Sequence, residues 1–197
     1  MTAAQAMLRR RRMQIQEFTA RLRTGQRDFS HITLHAANLT ALNLQGAVFR
    51  DSDLSFSNFG GADLTNADFS GCLLSRCTFA KALVKNTTFA HADLTFADLS
   101  GARMVSANFA NANLLWSHLC GTDLMKANLR GATLDWVCLL GTRLSETQRS
   151  VLAPHALFEH RHEQRPMPGY HSGYVRQGVR AYGMQPYAAR YTARNGY

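Results

Sequence analysis

The sequence predicts an all-β solenoid, a strand coiled into a four-sided rod, and three observations carry that reading. An apolar residue returns at every fifth position from Phe29 to Leu144, 24 times without a break, and each is Leu, Phe, Val or Met. Two positions before each stands a mostly small residue, such as Ala47, Ser52, Ala62, Cys72, Cys77 and Ala92, with Ile32, Leu42 and Val137 larger. The residue between is often Asp or Asn, as at Asp53, Asn58, Asp63, Asp93 and Asn113. A period of five is neither the 3.6 of a helix nor the 2 of a strand.

In an extended chain, side chains two apart share a face. The small residue and the central Leu or Phe therefore point together, and the Asp or Asn points away. Because five is odd, a straight strand would flip each successive unit. All centres reach one interior only if the chain turns a corner in every unit, and the trailing Gly, Ser, Asn and Thr suit a turn. Phe29, Phe49, Phe69, Phe89 and Phe109 recur at twenty, with Phe59 and Phe79 midway, so four units make one coil. Residues 27–146 then form about six coils, with rungs about 4.8 Å apart and a rod about 29 Å tall. Each coil buries its surface only against its neighbours, so both ends need caps.

Residues 1–26, "MTAAQAMLRRRRMQIQEFTARLRTGQ", read as a basic helix ending near Gly25. Leu8, Ile15, Phe18 and Leu22 form its apolar stripe and Arg9 to Arg12 a solvated or binding face. The stripe suits a cap over the first coil's open edge; the arginines also suit nucleic acid or an anionic surface, or a targeting segment. At the other end, residues 147–165 read as a capping or dimerisation helix. Ser145 with Gln148 makes a capping box, and "HALFEHRH" is read as a continuation of that helix, covering the last coil or pairing two rods into a homodimer. Residues 166–197 hold all six Tyr of the chain, four Arg and no acid. They form an extended arm that buries no core of its own.

Runs such as "ADLTNADFSG" and "ANFANANLLW" make the repeat region resemble the pentapeptide-repeat proteins over roughly residues 27–146. The resemblance implies a right-handed quadrilateral β-helix. It does not imply an activity: most of the family are binding or structural rods, and one subgroup binds type II topoisomerases by imitating DNA.

Charge qualifies that last possibility. The net charge is +9, but residues 27–146 hold nine Lys or Arg against ten Asp or Glu, while the two ends carry six Arg against one Glu and seven Arg against two. A DNA mimic must replace phosphates spaced about 1.7 Å apart along the duplex, and this body lacks such charge. The reading is a non-enzymatic interaction scaffold or structural subunit docking to a larger assembly. A gyrase modulator and a nucleic-acid binder acting through the basic ends are the alternatives.

Candidate partner-binding residues fall in two groups. Phe56, Arg76, Phe96, Trp116 and Trp136 are spaced by twenty and stack on the outside of one wall, with Leu115 and Leu140 adding exposed apolar area. Tyr170, Tyr174, Arg176, Arg180, Tyr182, Tyr187, Arg190 and Tyr191 make the arm a docking element, since Tyr and Arg favour interfaces. No catalytic, cofactor or metal site is read. Cys72 and Cys77 take the small inward position as buried thiols, Cys120 and Cys138 read as isolated, and His155, His160 and His162 lack a matching ligand set. No apolar run is long enough for a membrane span, which places the protein in the cytoplasm or, alternatively, an organelle matrix.

Overall fold

A computed structural model describes residues 11–152, 156 and 157. The elements are β1 (Arg11–Arg12), α1 (Ile15–Arg23), β2 (Ile32–Thr33), β3 (Val137–Cys138), α2 (Glu146–Leu152) and β4 (Ala156–Leu157). Between β2 and β3 the chain is a coil with one bridging residue per unit. A parallel bridge joins the residue before each centre to its counterpart 20 residues on, from Asp28 with Val48 to Asp123 with Arg143.

Every N–H of a unit finds an acceptor, as residues 68–72 illustrate. Asp68 N–H donates to Ala47 O at 2.9 Å and Phe69 N–H to Thr88 O at 2.8 Å, one coil behind and one ahead. Gly71 N–H also reaches ahead, to Ala90 O at 2.9 Å, and Cys72 N–H closes the corner on Phe69 O at 3.1 Å. The remaining N–H, of Ser70, donates to Asp68 Oδ1 at 2.9 Å. That bond explains the recurrent Asp or Asn: its side chain accepts from the one backbone donor the ladder leaves over. Asp53, Asn58, Asp93, Asp98 and Asn113 repeat it.

Each corner places its second turn residue at positive φ, from His31 at 58° through Gly141 at 69° without exception. This is the sign pattern of a type II turn. Inside, every centre from Phe29 to Leu144 is buried except Leu129, which is half-buried near the C-terminal end. Phe49, Phe69, Phe89 and Phe109 stack with ring centroids 5.0, 5.2 and 5.1 Å apart, and Phe59 on Phe79 at 4.7 Å. Rings of the two columns meet edge to face. Most polar residues at the inward small position donate to a carbonyl 23 residues back: Ser52 to Phe29, Ser57 to Leu34, Cys72 to Phe49, Cys77 to Leu54 and Thr87 to Leu64; the buried Ser117 hydroxyl has no such partner. At those five positions a hydroxyl or thiol enters the core without an unmet donor.

Both ends depart from the sequence reading. Arg11 and Arg12 are not helical: they pair in parallel with Ile32 and Thr33, adding a rung before the first repeat. Only then does α1 cross the shaft. Phe18 is fully buried, its ring 4.5 Å from Phe29 and 6.0 Å from Phe49, so it is the bottom member of the stacked Phe column. Ile15 and Leu22 pack beside it, and Glu17 accepts from Arg11 and Arg21, both at 2.6 Å. At the far end, Ser145 and Gln148 make the capping box: Ser145 N–H donates to Gln148 Oε1 at 2.8 Å and Gln148 N–H to Ser145 Oγ at 3.2 Å. Gln148 Nε2 also donates to the carbonyls of Leu124 and Ala127, both at 3.0 Å, covering acceptors of the last coil. Ala156 and Leu157 of "HALFEHRH" do not continue this helix: they pair in parallel with Val137 and Cys138, and the rest of that stretch lies outside the described residues. The coil therefore extends past the last pentapeptide at both ends, with a helix replacing corners that the sequence no longer codes.

Candidate interaction surface

The four corners of the coil form four columns on the outside, and all share the left-handed backbone that favours Gly, Asn and Asp. Three columns comply in large part. The first runs His31, Asp51, Gly71, His91, Asn111, Gly131; the third Ala41, Gly61, Lys81, Gly101, Gly121, Gly141; the fourth Gly46, Asn66, Asn86, Ser106, Lys126. The second runs Ala36, Phe56, Arg76, Phe96, Trp116, Trp136, with φ from 52° to 64°. Bulky residues are rare in this region, and here four of six positions are aromatic.

These side chains form one continuous stack on the surface. His35 tilts against Phe56 with ring centroids 5.1 Å apart. The Arg76 guanidinium lies over Phe56 at 5.8 Å on one side and Phe96 at 5.2 Å on the other. Phe96 and Trp116 are nearly parallel at 6.5 Å, and Trp116 and Trp136 at 5.1 Å. Phe56 is 52% exposed, Phe96 and Trp136 43% each, and Leu140, on the adjoining wall, 44%. Trp116 is half-buried within the stack, and so is Leu115, which the sequence reading had put outside. The walls beside the column carry acids: Asp53 and Asp93 before the corner, Asp135 at its lip and Asp98 after it. Sequence spacing assembled the column itself. It missed His35 and the flanking aspartates, whose signal was the same register of twenty.

The arm residues Tyr170, Tyr174, Arg176, Arg180, Tyr182, Tyr187, Arg190 and Tyr191 lie outside the described residues, as do Leu8, Arg9, Arg10, His155, His160 and His162.

The cysteines need one correction. Cys120 and Cys138 are not isolated but disulfide-bonded, with Cα atoms 5.7 Å apart. They sit 18 residues apart on the same wall of consecutive coils, a proximity hidden in a linear reading but contained in the register. Cys72 and Cys77 are buried and form no disulfide. Burial pushes the Cys77 thiol far above its ordinary range, so it is no nucleophile. Among the described residues, no group of His, Cys, Asp or Glu is arranged to hold a metal ion, and no helix is long and apolar enough to cross a membrane.

Comparison with known proteins agrees with this architecture. The model of the pentapeptide repeats (8 copies) matches residues 33–71, 72–109 and 107–145, more than half of the chain. No curated protein matches it. Among solved structures, the pentapeptide repeat protein Rfr23 from the cyanobacterium Cyanothece 51142 is 20% identical over 66% of this chain and 99% of its own, with a TM-score of 0.58. QnrB1, a plasmid-mediated fluoroquinolone resistance protein, is 16% identical over 64% of this chain and 98% of its own, with a TM-score of 0.42. HetL, involved in heterocyst differentiation regulation in Nostoc sp. strain PCC 7120, is 28% identical over 66% of this chain and 70% of its own, with a TM-score of 0.27. The unbroken repeat, the four-cornered ladder, the match to the repeat model and the likeness to Rfr23 lead to one conclusion: the chain belongs to the pentapeptide-repeat family and folds as its right-handed quadrilateral β-helix.

Proposed function

We propose that this protein is a non-enzymatic interaction scaffold that docks to a larger assembly through the aromatic column of its second corner. The observation that carries the reading is the placement of Phe56, Phe96, Trp116 and Trp136 at left-handed positions. A bulky side chain there costs backbone strain of about 1–2 kcal/mol relative to a relaxed conformation. Strain concentrated in one of four equivalent columns points to a use outside the fold. Aromatic and arginine side chains are also those that dominate interfaces. The arm, through Tyr170, Tyr174, Arg176, Arg180, Tyr182, Tyr187, Arg190 and Tyr191, is a second attachment element, and the capping region after residue 146 is the proposed seat of a homodimer.

The repeat body's near-neutral charge speaks against DNA mimicry, and a gyrase supercoiling assay is expected to show neither inhibition nor protection. The Cys120–Cys138 disulfide favours an oxidising compartment over the reducing cytoplasm.

The deciding experiment is crosslinking with mass spectrometry from native cells, comparing the full chain with a Trp116→Asn, Trp136→Asn variant. Asn suits the left-handed corner, so the variant keeps the coil. Loss of neighbours from the variant is the expected result; an unchanged set of neighbours overturns docking through this corner.

A further inference from the structure

We propose that the second corner receives an arginine-rich, acid-poor extended segment of a partner protein, whose guanidinium groups stack on the aromatic column while the aspartates of the adjoining walls neutralise them. This rests on the docking reading above and supplies the chemistry of its occupant.

Arg76 displays the mode within the molecule. Its guanidinium occupies one rung of the column between two aromatic faces, Phe56 and Phe96. The same surface continues over Phe96, Trp116 and Trp136, with Phe96 and Trp136 each 43% exposed. A planar, weakly hydrated guanidinium gains from such faces, and a compact ammonium gains less.

Charge selects the same occupant. The second wall, its corner and the third wall carry Asp53, Asp93, Asp98 and Asp135 against the single Arg76, whereas the rest of residues 28–143 carries seven Lys or Arg against five Asp. The aromatic face is therefore also an acidic one, on an almost neutral rod. Aromatic columns accept nucleic-acid bases as well, but carboxylates on both sides repel the phosphates that come with them. Acidic peptides meet the same repulsion.

Both tryptophans of the chain stand in the column, so intrinsic fluorescence reads its occupancy directly. The test titrates the full chain with a short synthetic peptide of alternating Arg and Gly, the matching Lys–Gly peptide, and an oligothymidylate. The Arg–Gly peptide is expected to change tryptophan emission saturably and to bind about tenfold tighter than the Lys–Gly peptide. High salt, or Asp93→Asn with Asp98→Asn, weakens it. Phe96→Asn, which suits the corner and leaves both tryptophans in place, also weakens it while the thermal melt is retained. Equal affinity for the Lys–Gly peptide, a response to oligothymidylate, indifference to the aspartate changes, or silence towards every probe overturns the proposal. If the Arg–Gly peptide fails while Trp116→Asn, Trp136→Asn still strips neighbours in the crosslinking experiment, docking stands and this inference falls. If the peptide binds as expected but those neighbours persist, docking through the corner falls and the site's chemistry stands.

Discussion

The second and third corners are built on the same backbone and furnished in opposite ways. Along the third, Gly61, Gly101, Gly121 and Gly141 take φ of 64° to 69°; along the second, Phe56, Phe96, Trp116 and Trp136 take 60° to 64°. A Cβ added at Gly121 would meet nothing within 4 Å, so glycine stands there for its backbone and not for want of room. The fold requires only a residue that tolerates the left-handed region. What stands at the second corner beyond that requirement is a candidate for function, and what stands at the third corner is a record of folding.

Several measurements sharpen or break this contrast. The largest effect concerns the wall between the two corners, where Cys120 leads into the third and Cys138 follows the second. Reducing the bridge is expected to lower stability by about 3 kcal/mol, read as a drop in Tm; an unmoved Tm would show that the ladder alone holds these coils in register. Next, Gly121→Ala is expected to cost about 1–2 kcal/mol in chemical denaturation, all of it from the backbone. A neutral result would remove the premise that side chains at these corners are strained. Smaller still, Trp136→Asn should move stability by less than about 1 kcal/mol. Relief at the corner opposes the loss of stacking on Trp116, worth about 0.5–1.5 kcal/mol. A large loss would make the column a structural brace.

Acid tests the remaining corners and leaves neutral stability untouched. Asp28 and Asp68 brace turns of the first corner and Asp63 one of the fourth. The Ser30 hydroxyl and N–H hold Asp28 below the ordinary carboxylate range. Burial pushes Asp68 up, but the Ser70 hydroxyl and N–H and Arg50 outweigh it and leave its pKa low. Asp63 likewise ends low, burial being outweighed by Thr65 and Gln45. A carboxyl lowered in the folded state stabilises it above the unfolded pKa of about 3.9 and loses that contribution as pH falls through the folded value. Tm should hold from neutrality to about pH 5 and fall below about pH 4, with a shallower fall in Asp68→Asn; a Tm flat into strong acid would contradict these braces.

The repeat was legible because one requirement, an inward apolar residue at each corner-to-corner segment, is imposed afresh every five residues. The same register put Phe56, Arg76, Phe96, Trp116 and Trp136 in a column before any coordinates. It also held the pairing of Cys120 with Cys138, which goes unseen when cysteines are compared by spacing along the chain and not by wall. The ends were less legible because they leave the register. Arg11 and Arg12 carry a charge pattern suited to a helix, yet the open edge of the first coil offers them hydrogen-bond partners, and strand pairing with Ile32 and Thr33 prevails over local preference.

What the sequence determined by itself was periodicity: which side chains face inward, where the corners fall, and which residues share an outer column, since all three depend on chain geometry within twenty residues. Tertiary structure alone decided how the coil ends, that Phe18 plugs the shaft and that Gln148 covers the last carbonyls. Those outcomes turn on edges left open once the repeat stops, and an open edge exists only after the coils beneath it have formed.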